Sequence, residues 1–334
     1  MKKYSPVAIW LLIGVGMIMI QVLLGGITRL TGSGLSITEW KPLLGAIPPM
    51  NDQDWNKAFD QYKQIGQYKH INFDFTLSDF KFIYFWEWFH RVWARLMGLV
   101  FAIGFVYFII KKQFSRDMIW PMVLLFVLGG LQGAIGWIMV QSGLNDNDVS
   151  VSHIRLSIHF MAALGLLCYV FWFAISFLVP KDQYIENPSL KKFSWLIIVI
   201  LIVQLFYGAF MAGLKAGTAA PTWPMINDMW IPHGMGSSFT DDPITVQFIH
   251  RGLAYIIALM ILVWWSRALR SEATPVFRKT RLLPPVFVMV QVILGIFTVL
   301  YSPDKQALLW LGVAHQFVAM LLLLSMVWTL RIMK

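Results

Sequence analysis

Eight apolar stretches, each close to 20 residues long, dominate this chain of 334 residues. They lie at 7–27, 82–110, 119–140, 154–179, 193–214, 246–265, 283–300 and 307–330. A hydrocarbon layer about 30 Å thick is crossed by a helix of about 20 residues. Backbone polar groups in lipid must be satisfied within the segment, so each stretch predicts a helix. The expected class is an all-α polytopic membrane protein with eight transmembrane helices. Composition agrees. Hydrophobic residues make up 58% and charged residues 13%, against roughly 45–50% and 25% in soluble domains. Mean hydropathy is +0.64. The second stretch is interrupted by Glu87, His90, Arg91 and Arg95. The first apolar run is long enough to span, and no small-residue cleavage site follows it, so it reads as an uncleaved helix.

The net charge of +10 reflects membrane orientation, and no nucleic-acid partner is expected. Lys2 and Lys3, then Lys111, Lys112 and Arg116, then Lys181, Lys191 and Lys192, then Arg267, Arg270, Arg278, Lys279 and Arg281, then Arg331 and Lys334 all fall on one side of an eight-span chain. The opposite short loops carry Asp146, Asp148, Asp228, Asp241, Asp242 and Asp304. Cationic loops stay in the cytoplasm, so both termini are expected there. The long connection 28–81 then faces outward and is expected to cap the bundle. The single cysteine, Cys168, excludes an intrachain disulfide and a Cys-x-x-Cys pair.

The chain repeats itself. Gln21-x-x-x-Gly25 aligns with Gln204-x-x-x-Gly208, Gly34 with Gly217, and Trp40/Pro42 with Trp223/Pro224. Glu87-x-x-His90-Arg91 aligns with Gln247-x-x-His250-Arg251, Gln132-x-x-x-Gly136 with Gln291-x-x-x-Gly295, and His159 with His315. The expected organisation is two parallel-repeat four-helix bundles, residues 1–180 and 190–334, related by an axis along the membrane normal. The Gln-x-x-x-Gly motif reads first as helix packing, because glycine permits close approach.

Every even span carries one histidine near its outer end: His90, His159, His250 and His315. His70, His153 and His233 belong to loops or helix mouths and read as surface residues. Ionisable groups within spans are costly and mark function. Two histidine pairs suit two bis-imidazole haem sites, His90 with His159 and His250 with His315. Zinc fits less well, preferring four closer ligands that often include thiolate or carboxylate. The halves differ at one point: Glu87 stands three residues before His90, and Gln247 stands three before His250. Positions i and i+3 share a helix face. Glu87 therefore reads either as a proton-transfer group beside His90 or as a structural carboxylate paired with Arg91 or Arg95. Arg91, Arg155 and Arg251 suit haem propionates or interface anchoring equally.

The run GGITRLTGSGLSITEWKP at 25–42, with EWFHR at 87–91, RLSIH at 155–159, QFIHR at 247–251 and AHQ at 314–316, resembles the haem A synthase family of cytochrome oxidase biogenesis. The resemblance covers about residues 7–330. It implies that haem b is held in the second half by His250 and His315, with Arg251 nearby. It implies that haem O, the substrate, occupies the first half near His90 and His159, with Glu87 catalytic. The implied reaction oxidises a ring methyl of haem O to a formyl group through a hydroxymethyl intermediate, with water-derived oxygen, giving haem A. Implied surroundings are a bacterial-type cytoplasmic membrane with the haem sites toward its outer face. Implied partners are haem O synthase (the farnesyltransferase), cytochrome oxidase assembly factors and membrane lipid, with a homo-oligomer left open. Some relatives carry cysteine pairs in outer loops, and this chain resembles the cysteine-free branch. Two competing classes are a di-haem b, quinol-linked electron carrier without substrate chemistry and a secondary transporter.

Overall fold

Polar caps and prolines set where the apolar segments begin. The computed structural model describes residues 6–41, 44–233, 235–236 and 238–334; Lys2, Lys3 and Pro42 lie outside them. The helices in chain order are α1 (Pro6–Leu30), α2 (Asp52–Tyr62), α3 (Gly66–His70), α4 (Leu77–Ile110), α5 (Arg116–Gln141), α6 (His153–Leu178), α7 (Pro188–Gly213), α8 (Pro243–Arg270), α9 (Pro275–Thr280), α10 (Leu283–Leu300) and α11 (Lys305–Arg331). Side-chain oxygens of Asn187, Asp242, Thr274 and Asp304 accept the first free backbone N–H groups of α7, α8, α9 and α11. Proline follows at the first helical position in three of the four. It loses no hydrogen bond there and is already bent to the helical φ.

Eight helical segments are long and apolar enough to cross a membrane, with α9 and α10 counting together as the seventh. They match the eight apolar stretches one for one, and no strand occurs among the described residues. The chain is an all-helical, multi-pass membrane protein. The main difference lies at the start of α4. The apolar stretch opens at 82, but the helix opens at Leu77, after a reciprocal Thr76–Asp79 capping box. At 1.5 Å per residue its 34 residues run about 50 Å, well beyond a hydrocarbon core of about 30 Å.

By backbone contacts the described chain forms two compact units. One is Gly16–Leu166. Within it the described residues of the connection 28–81 fold as a cap. Leu35, Phe59, Tyr62 and Ile65 form one apolar cluster with Phe80 and Ile83 of α4 and Val140 of α5. A polar relay stiffens this cap. Asn72 donates to the Tyr62 hydroxyl (2.7 Å), which donates to Gln67 Oε1 (3.0 Å), while Gln67 Nε2 donates to the Gly32 carbonyl (3.1 Å). Burial pushes the Tyr62 phenol up to about 12. The other unit joins the amino-terminal residues through Val15 with Leu167–Lys334. There α7, α8, α10 and α11 close a four-helix ring, with α7 on α8, α8 on α10, α10 on α11 and α11 on α7. Trp264 Nε1 donates to the buried Ser194 hydroxyl (2.7 Å) across α8 and α7.

One glycine fixes the cap. Gly66 N donates to the Asn145 carbonyl (2.7 Å), and a Cβ at position 66 would lie 2.7 Å from the Asp146 carbonyl oxygen and 2.8 Å from that of Asp148. Both obstacles are backbone. Gly66→Ala is expected to destabilise the cap by about 1–3 kcal/mol, the usual cost of overpacking. Faster proteolysis between residues 60 and 75 in membranes would show it, and wild-type protease resistance would contradict it. The neighbouring Lys69–Asp146 ion pair (2.9 Å) holds the Asp146 carboxyl below its ordinary range, chiefly through the lysine hydrogen bond. Its contribution is present above the unfolded carboxylate value of about 3.9 and is lost as pH falls through the lower folded value.

Candidate functional site

The four intramembrane histidines share one local construction. A Cβ built on Gly25 would lie 3.3 Å from His90 Nε2. On Gly136 it would lie 2.8 Å from His159 Cε1, on Gly208 3.4 Å from His250 Cε1, and on Gly295 3.0 Å from His315 Cε1. Each Gln-x-x-x-Gly segment thus presents bare backbone to an imidazole on the following span. The packing reading of these glycines holds, and what packs on them is the histidine ring. A methyl group would displace the ring, most severely at Gly136.

The glutamine one turn earlier points at the same ring in three of the four cases. Gln132 Nε2 donates to the His159 carbonyl (2.9 Å) and lies 3.2 Å from His159 Nδ1. Gln291 Nε2 lies 3.1 Å from His315 Nε2, and Gln204 Nε2 lies 3.5 Å from His250 Nε2. No such bond joins Gln21 to His90 among the described residues; its Oε1 is buried without a partner.

His250 and His315 are brought together, with ring centres 6.4 Å apart and planes inclined at 66°. Nδ1 of each ring is buried and lacks a hydrogen-bond partner among the described residues. His90 and His159 lie within electrostatic range of each other. Among the described residues no three His, Cys, Asp or Glu side chains converge, so a zinc-type cluster is not formed.

Glu87 is buried, and both of its oxygens are used. Oε1 pairs with Arg91 Nη2 at 2.6 Å. Oε2 accepts from the Ser36 hydroxyl (2.7 Å) and from Ile37 N (2.9 Å). Arg91 also donates to the carbonyls of Ile37 (3.0 Å) and Glu39 (3.2 Å). The second half repeats this frame with one polarity reversed. Arg251 donates to the carbonyls of Ala220 (3.2 Å) and Met225 (3.3 Å). Gln247 Nε2 donates to the Ala220 carbonyl (3.1 Å), where Glu87 accepts from Ile37. Position 220 follows 37 by the same 183-residue shift that relates Gly217 to Gly34. Arg91 and Arg251 therefore both anchor the backbone of a connecting loop. Arg251 Nε is buried without a partner. Arg155 donates to the Ile138 carbonyl (2.9 Å) from an exposed position. Of the remaining histidines, His70 meets the Asp146 carbonyl at the surface (3.1 Å), His233 is exposed, and His153 opens α6.

Sequence reasoning gave no role to Ser36, the Ile37 backbone or Trp137. Trp137 stacks on Trp40 (5.5 Å, 18°) and lies 5.8 Å from the Arg91 guanidinium. Ser36 sits inside the 25–42 run, and only its opposition to Glu87 in the fold reveals its use.

Residues 8–327 match a family described as cytochrome oxidase assembly proteins. A protein of Flavobacterium psychrophilum named heme A synthase is 39% identical, the comparison covering 99% of this chain and 98% of the relative. Another of that name in Flavobacterium johnsoniae is 39% identical over 98% of each. A third, from Nitrosomonas eutropha, is 38% identical over 99% of this chain and 94% of the relative. The chain belongs to the haem A synthase family.

Membership in the haem A synthase family implies a haem group, and the second-half pair fits one. Metal–imidazole bonds of about 2.0 Å, with a ring radius of about 1 Å at each end, put trans imidazole centres roughly 6 Å apart. The observed 6.4 Å agrees. Each ring also keeps one buried nitrogen free of protein partners, and buried nitrogens are ordinarily hydrogen-bonded.

Proposed function

We propose that this chain is a haem A synthase, an oxidoreductase that converts haem O into haem A in the cytoplasmic membrane. The observation that carries the reading is the reversed polarity within a repeated frame: Glu87 accepts where Gln247 donates, one turn from His90 and His250 respectively. An electron carrier alone has no use for a carboxylate in one half only.

The substrate's methyl group is oxidised in two stages, taking up water oxygen in the first, with the electrons passing to an acceptor outside the chain. Methyl plus water gives hydroxymethyl, releasing two protons and two electrons. Hydroxymethyl then gives formyl, releasing two more of each. His90 and His159 hold the substrate by its iron. Glu87, one turn from His90, takes protons toward the outer mouth, while Ser36, Ile37 and Arg91 keep its two oxygens in place. When bound by His250 and His315, haem b supplies one-electron redox chemistry. Arg251 Nε is the donor left for a propionate there. Both substrate and product are lipophilic, so exchange with a farnesyltransferase and with oxidase assembly factors takes place within the membrane.

Pigment extraction from the purified chain tests the reading. Haem A or hydroxylated haem O beside haem b is the expected result. Haem b alone would favour the di-haem carrier, and a colourless protein would favour a transporter. Orientation is tested separately. Reporter fusions after Lys112, Lys192 and Arg281 are expected to read cytoplasmic, and one near Asp146 external. An external signal at Lys192 would break the eight-span topology.

A further inference from the structure

Three of the repeated glutamines touch an imidazole, but they do not touch it in equivalent ways. Among the described residues the side chains of Gln204 and Gln291 make no hydrogen bond other than the one to the ring, and their carboxamide oxygens, like that of Gln132, are buried without a partner. The same two rings each keep a buried, unpartnered Nδ1. Gln132 has a second attachment, the 2.9 Å bond from its Nε2 to the His159 carbonyl.

A carboxamide presents an acceptor oxygen on one side and a donor nitrogen on the other, and a half-turn exchanges them. For Gln204 and Gln291 the half-turn breaks no other bond. It moves a stranded oxygen onto the ring nitrogen 3.5 Å or 3.1 Å away. For Gln132 it would set oxygen against the His159 carbonyl oxygen, acceptor against acceptor, so that glutamine is pinned as a donor. A neutral imidazole has one N–H and one lone pair. When its N–H is accepted by a fixed neighbour, the lone pair stands on the other nitrogen, the arrangement that supports metal-ligating histidines. When a neighbour instead donates to Nδ1, the lone pair is taken there and the proton sits on Nε2.

We propose that Gln204 and Gln291 are positioning residues that hold His250 and His315 in the tautomer that ligates iron. Gln132 instead donates to the Nδ1 lone pair of His159 and occupies the electrons that a metal would need, so the second half retains its haem while the first half releases its own. This rests on the haem reading of the two histidine pairs given above. The rings sit close against the glycine backbone, where a Cβ at Gly295 or Gly136 would stand 3.0 Å or less from the ring.

The test uses the full chain purified with its resident haem b. Gln291→Glu supplies a stronger acceptor to the ring N–H and is expected to lower the haem b midpoint potential. Gln291→Leu removes the acceptor and is expected to raise it. Gln291→Glu should retain the low-spin spectrum and the haem-to-protein ratio, whereas Gln291→Leu should keep the low-spin spectrum at a lower ratio. Gln204 variants should shift in the same directions by less, in line with the longer contact. Gln291→Met reports the same sign as Leu should the Leu variant accumulate poorly. Gln132→Leu, or Gln132→Met, is expected to raise the haem retained per chain through purification. A merely structural glutamine would give shifts of one sign, or none, in both Gln291 variants, and that overturns the assignment. Unchanged haem content in both Gln132 variants overturns its share. These outcomes presuppose haem b in the wild-type chain. Its absence there, or its survival in His315→Ala, would instead defeat the haem reading itself.

Discussion

His250→Ala and His315→Ala are each expected to abolish the low-spin bis-histidine haem b signal of the purified chain. On the proposed haem reading either change would remove one of the two imidazoles that would hold haem b, and a haem left with one protein ligand loses that signature outright. The loss should not come through misfolding. Each ring lies against a glycine and carries a buried nitrogen without a partner, so deleting it also deletes an unsatisfied polar atom, whose burial costs about 1–3 kcal/mol. His90→Ala and His159→Ala are expected to behave differently, keeping most of the haem b signal while conversion of haem O stops. Absorption spectra of dithionite-reduced protein, with extracted haems separated by chromatography, read both quantities. A normal haem b spectrum in the second-half variants would reverse the assignment of the halves.

Glu87→Gln is expected to lower haem A output by about 10²–10⁴-fold, the usual worth of a general acid–base group, with haem O or a partly oxidised haem accumulating. Haem b and protein level should persist. The structure explains why the fold should tolerate the change. A glutamine oxygen still accepts from Ile37 N, and Arg91 keeps its two loop carbonyls at 3.0 and 3.2 Å. The second half already combines Gln247 with Arg251 in this frame. Glu87→Leu is the contrasting variant. It strands the Ile37 N–H and the Arg91 charge together, and breaking a buried pair in this way costs about 3–5 kcal/mol. Loss of protein and haem b from the Gln variant would identify Glu87 as purely structural. Full haem A yield would remove it from proton transfer.

Legibility in the sequence followed the range of the interactions. The eight spans could be read because hydropathy is a local property, and their ends were off by the reach of local caps. The start of α4 at Leu77 depended on Thr76 and Asp79, which lie outside the apolar stretch. The histidines stood out because four recurred at matched positions. The glycines were read as close-approach sites, which they are, but a sequence does not say which side chain comes close. The partners of Glu87 were the least accessible. Arg91 is one turn away and was foreseen, whereas Ser36 and Ile37 lie 51 and 50 residues upstream and meet it only through the folding of the cap.

The arginine anchors have a consequence for how such connecting loops change over time. Arg91 and Arg251 grip carbonyl oxygens, a group every amino acid carries. The grip is therefore blind to the side chains of the loop it holds. Substitutions at Ile37, Glu39, Ala220 or Met225 leave the acceptor in place, so loop chemistry facing a ligand or a partner can diversify while the attachment persists. Insertions and deletions are another matter, because they slide the wrong carbonyl under a fixed guanidinium. Drift in these segments should be free in letters and strict in length.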